Sequence, residues 1–103
     1  MIITTNESIP GHDFEVLGLV VGNTVQAKNI GRDLLSGLKG VVGGEITAYT
    51  EMLAEARDIA LERMETEAEK RGADAVIALR FSTAEAMPGA AELMAYGTAV
   101  KFR

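Results

Sequence analysis

The sequence predicts an α+β fold in which a long helix and a short one pack on a small antiparallel sheet. Three observations carry this reading. Tyr49, Met52, Leu53, Ala56, Ile59, Ala60, Met64 and Ala68 recur at three- and four-residue steps and form one apolar helical stripe. The stretches 13–27, 75–82 and 93–102 are β-prone, and the latter two alternate residue by residue. Finally, 103 residues make one domain, 1–103, with no room for a second.

In chain order, residues 2–5 form a short edge strand, ended by Asn6 and followed by a Pro10-Gly11 turn. Residues 13–27 are the strongest strand of the first half, with Gly18 and Gly22 as places for a bend or bulge. Simple alternation puts Leu17, Leu19 and Val21 on one face of it and Phe14, Val16 and Val20 on the other. One helix layer covers only one such face, so the surplus points to a second subunit.

Residues 28–44 contain five glycines and the apolar set Ile30, Leu34, Leu35 and Leu38. They predict a short helix from Asn29 to Leu38 and then a glycine-rich connection through Val41 and Val42. Neither phosphate-binding fingerprint, G-x-x-x-x-G-K-[ST] or G-x-G-x-x-G after a strand, is present.

The long helix is expected to start at Thr47 as N-cap, with Glu51 near the positive end of its dipole. Lys70 and Arg71 suit its negative end, and Gly72 suits the left-handed position that terminates it. About 25 residues at 1.5 Å each would span roughly 37 Å. A strand follows in which Ala75, Ile77, Leu79 and Phe81 share an apolar face, then a loop over residues 83–91 containing Met87-Pro88-Gly89. The last strand, from about Leu93 to Phe102, completes a hairpin. Its small face, Ala95, Gly97 and Ala99, invites close approach by a helix or a neighbouring subunit.

Composition narrows function. With 48% apolar and 24% charged residues the chain is of the globular class. Zero cysteines exclude disulfides, thiolate metal ligands and a cysteine nucleophile. A net charge of −5 with scattered basic residues and 5% aromatics disfavours nucleic acid and anionic membranes as partners. Residues 1–7 lack a basic region and a long apolar core, and no window reaches eighteen apolar residues, so a cytoplasmic protein is expected.

Asn29-Ile30-Gly31-Arg32-Asp33, Val42-Gly43-Gly44, Ala48-Tyr49, Glu55-Ala56-Arg57-Asp58-Ile59-Ala60, Gly72-Ala73-Asp74-Ala75-Val76 and Gly97-Thr98-Ala99-Val100 together resemble the YbjQ-like family of small bacterial and archaeal proteins. The match runs in register from about Val16 to Lys101. The resemblance implies a dodecin-like subunit that assembles into a homo-oligomeric ring, typically a pentamer, and carries the family's heavy-metal-binding label.

The residues themselves offer little chemistry for that label. His12, beside Asp13 and Glu15 in an expected exposed turn, is the sole imidazole, and a closed zinc site normally takes four ligands. In a ring, copies of His12 would gather around an axis and hold a divalent or heavy metal ion. Of the thioethers, Met1, Met52, Met64, Met87 and Met94, two fall on the helix stripe and read as core. Glu51, Glu55, Asp58 and Glu62 share a solvated helix face. Arg32, Asp33, Tyr49, Arg57 and Asp74 are the polar residues beside apolar positions. They read as interface ion pairs or helix-terminal hydrogen bonds, or, in the functional alternative, as a site for an anionic ligand.

Three functions follow from different classes. The first is a non-enzymatic homo-oligomeric scaffold or small-ligand-binding module, the second a metal-binding protein. The third is an enzyme on a small anionic substrate, which needs Arg32 or Arg57 in a pocket.

Overall fold

In the computed structural model, which describes residues 1–27, 42–88 and 90–103, the chain runs β1 (Ile2–Ile3), β2 (Phe14–Ala27), α1 (Val42–Lys70), β3 (Ala75–Met87) and β4 (Ala90–Phe102). The strands form one sheet of order β1-β3-β4-β2. The short helix expected at Asn29 to Leu38 lies outside the described residues.

The sheet is mixed, not antiparallel as expected. β2 and β3 flank β4 antiparallel, whereas β1 adds to β3 in parallel, Ile2 opposite Ala75. The physical reason is the path that follows β1. The Thr4 and Asn6 carbonyls accept hydrogen bonds from the Leu79 and Ala78 amides, at 3.0 and 2.8 Å, and Ile9 then packs on the sheet face opposite the helix. A segment that crosses to the far edge before entering β2 has no tight hairpin to impose antiparallel pairing.

α1 begins at Val42, five residues before the expected cap at Thr47, so Gly43 and Gly44 are taken into the helix. Glycine inside a helix costs roughly 1 kcal/mol, which tertiary packing can outweigh. Its C-terminus is as expected. Gly72 has φ +75°, its amide donates to Glu69 at 2.9 Å, and the Ala73 amide donates to the Ala68 carbonyl at 3.1 Å. These are the paired bonds of a Schellman motif.

The buried stripe of α1 is Met52, Ala56, Ala60, Met64 and Ala68, every fourth residue, which meets Val20, Val76, Leu93, Ala95 and Ala99 of the sheet. Alanine in the stripe and glycine in the strand bring the backbones together. A Cβ added to Gly22 would collide with the Ala60 carbonyl and the Met64 amide. The small face of β4 therefore serves the helix.

Two bulges set which side chains face it. The β2–β4 register slips between Val16 and Gly18, where Gly18 has φ +122°. Leu17 and Val20 thus share the helix side, and Phe14, Val16, Leu19 and Val21 share the other. This corrects simple alternation along β2. In β3 the register slips between Ile77 and Arg80, and Ala78 carries φ 54°. Ala75 and Ile77 therefore join Val100, Phe14, Phe102 and Ile9 in a second, smaller cluster, while Val76 and Leu79 face the helix. The expected common face of Ala75, Ile77, Leu79 and Phe81 is broken at this bulge.

Residues 83–87, expected as loop, continue β3 in pairing with β4, leaving Pro88 in the turn. Small and polar side chains there mimic a loop, but β4 supplies partners for Thr83, Ala84, Glu85 and Met87, with the register slipping at Ala86. The resulting arm is long. The radius of gyration is 17.1 Å and the longest extent 57 Å, against about 13 Å expected for a compact domain of this length.

Candidate functional site

The feature that sets this chain apart from a self-contained domain is the sheet face turned away from α1. At one end it is covered by Ile9 over the Ala75, Ile77 and Val100 cluster. Beyond that cover no described residue lies over it. Val16, Leu19 and Val25 are 63%, 60% and 52% exposed. With Val21, Ser82, Met94 and Tyr96, Leu19 lines a shallow depression of about 290 Å³. β2 exposes these groups because it is apolar on both faces and the helix takes only one. Each such side chain, a little over half in water, forgoes roughly 1 kcal/mol of burial energy.

On the helix side of the same strand lies a cleft of about 620 Å³ lined by Val21, Asn23, Ile59, Glu62, Arg63, Thr66 and Glu67. Arg63 Nη1 donates 2.7 Å to the Asn23 carbonyl and so ties α1 to the outer edge of β2. Sequence reading did not single out Arg63, since nothing in its spacing marks it off from the other polar helix residues.

The residues singled out from sequence are not brought together. Arg32 and Asp33 lie outside the described residues, as does the side chain of Tyr49, whose backbone belongs to α1. Arg57 is exposed and contacts its neighbour Asp58 at 3.8 Å. In water such a contact contributes little. Asp74 precedes β3, where Oδ2 accepts 2.8 Å from the Phe102 amide while its own amide donates 2.9 Å to the Val100 carbonyl. It fastens the end of β4 to the start of β3.

His12 is exposed, and its ring stacks on Phe102 at 4.1 Å and 19°. Its amide donates 3.1 Å to Ile9 in the predicted turn. Among the described residues no cluster of three or more His, Asp or Glu converges to hold a metal ion. Met52 and Met64 are buried in the core, as expected. Glu51, Glu55, Asp58 and Glu62 are exposed.

No helix of the described chain is long and apolar enough to cross a membrane. A solved structure of a Pediococcus pentosaceus protein of unknown function, assigned to the DUF74 family, superposes with a TM-score of 0.65 at 16% identity, covering 100% of this chain and 98% of that one. That likeness shows the fold. Sequence relatives are closer. The UPF0145 proteins of Thermotoga maritima and Archaeoglobus fulgidus are 61% and 60% identical, covering 98% and 100% of this chain and 96% of each relative. That of Colwellia psychrerythraea is 57% identical over 100% of the chain and 99% of its own length. The YbjQ family model, whose description reads "Putative heavy-metal-binding", matches residues 1–103. With the whole chain matched, and relatives this similar in both bacteria and archaea, the protein belongs to the YbjQ family.

Proposed function

We propose that the protein is a non-enzymatic homo-oligomeric scaffold or small-ligand-binding module of the cytoplasm, and that copies of the chain cover one another's open sheet face. The observation that carries this reading is the row Val16, Leu19 and Val25, each more than half exposed on one face of one strand. Scattered apolar residues are ordinary on a surface, but three on one face of one strand, with Met94 and Tyr96 beside them, are what interfaces expose. A pentameric ring, implied by the family resemblance, is one closed form that such contacts can take. Leu19→Glu tests the reading. It places a charge in the patch without touching the helix-side core, and is expected to lower the native mass of the assembly while the circular dichroism spectrum is kept. An unchanged native mass would contradict it.

A second reading, metal binding, is favoured by the family's description alone. It predicts stoichiometric metal in untagged protein and its loss in His12→Ala. Metal content measured on both proteins decides between the two readings.

A further inference from the structure

We propose that the outer edge of β2 receives a strand from a second copy of this chain, and that the strand is the distal half of β3, residues 81–87. The inference rests on the oligomeric reading above and names the contact. β2 runs fourteen residues along the edge of the sheet, and from residue 16 to residue 27 it carries no charge and no proline. Natural edge strands are usually short, charged or interrupted so that they do not pair further. Among the described residues this one has a single guard, the Arg63 side chain on the Asn23 carbonyl. Among the described residues no other hydrogen bond reaches that edge. It is open on both sides too, since Val21 borders the cleft under α1 and the depression on the opposite face.

The chain carries a counterpart. β1 and the segment after it occupy the outer side of β3 as far as Arg80, whose guanidinium donates 3.2 Å to the Thr5 carbonyl. From Phe81 onward that edge has no partner among the described residues, and every residue to Pro88 is exposed. Phe81, Thr83 and Glu85 pair opposite Ala95, Leu93 and Ala91 and so point to the helix side; Ser82 and Ala84 point the other way.

Laid along β2 of a neighbour and parallel to it, the first row enters the cleft, Glu85 toward Arg63 and Phe81 toward the Gly18 end of the strand. The small second row adjoins Leu19 and Tyr96. Pairing β2 with a second β2 would leave the β3 edge open and Arg63 without this carboxylate. Because donor and acceptor edges differ, the contact is heterologous, and it gives a ring where the rotation between successive copies completes a circle.

The chain has no cysteine, which makes cross-linking clean. Within one subunit β4 separates β2 from β3 by about 10 Å, beyond the roughly 7 Å that a disulfide spans. The full-length variants Val21→Cys/Ser82→Cys and Val21→Cys/Ala84→Cys sample two registers and are oxidised with diamide. One of them is expected to give a ladder of covalent oligomers on a denaturing gel, and mixed single variants a dimer only. Dimers from Val21→Cys alone would overturn the proposal in favour of a β2–β2 contact. No cross-link in either pair, with an oligomeric native mass retained, would overturn this contact and leave the oligomeric reading standing. A monomeric native mass would overturn both.

Discussion

The Ala60 carbonyl of α1 lies where a Cβ on Gly22 would have to go. The helix therefore rests on the β2 backbone itself, and the close fit of the Ala56, Ala60 and Ala68 stripe depends on that glycine. Gly22→Ala must push the helix away or bend the strand. Overpacking typically costs about 1–3 kcal/mol, and a clash between two backbones belongs at the top of that range. Urea unfolding should show a loss of about 3 kcal/mol; a loss under 1 kcal/mol would mean that helix and strand are not so tightly apposed.

Ala78 is the one non-glycine residue with positive φ among those described, at 54°. Left-handed backbone costs an L-residue roughly 1–2 kcal/mol, and glycine gives back about 0.4–1 of this through greater freedom when unfolded. Ala78→Gly should stabilise the protein by about 0.5–1 kcal/mol, and Ala78→Val should destabilise it. Equal midpoints for the two variants would contradict the bulge.

Asp74 holds the end of β4 through the Phe102 amide at 2.8 Å. A hydrogen bond to a charged group contributes about 1.5–3 kcal/mol. Asp74→Ala should lose about that much, and Asp74→Asn, which keeps an acceptor, less. Equal losses in the two would assign Asp74 a role other than this acceptor.

His12 stacks flat on Phe102, next to the strand pinned by Asp74. On the scaffold reading His12→Ala leaves metal content unchanged and lowers stability by about 0.5–1 kcal/mol, the value of an aromatic pair. Metal content that falls in the variant by plasma mass spectrometry would shift the account to metal binding.

Much of the fold was legible where one residue type dictates one geometry. Gly72 announced the helix end, Gly18 the bulge and the apolar pattern the buried stripe Met52, Ala56, Ala60, Met64 and Ala68, although Leu53, read into the same stripe, is 40% exposed. The small face of Ala95, Gly97 and Ala99 announced a close approach. Other features were hidden because their cause is tertiary. No glycine marks the bulge at Ala78, so Leu79 turned to the helix against the local alternation. Residues 83–87 look like loop until β4 is beside them, and the parallel β1 pairing depends on a segment with no regular structure of its own. The open face of β2 was legible as a surplus of apolar residues. Arg63 at its edge was not, since a helix pattern says which face is wet but not which strand lies under it.

The central claim is that the chain does not stand alone. Native mass spectrometry of untagged protein at micromolar concentration tests it most directly. A mass that is a multiple of the 10.9 kDa chain is the expected result. A single species at 10.9 kDa would contradict the claim.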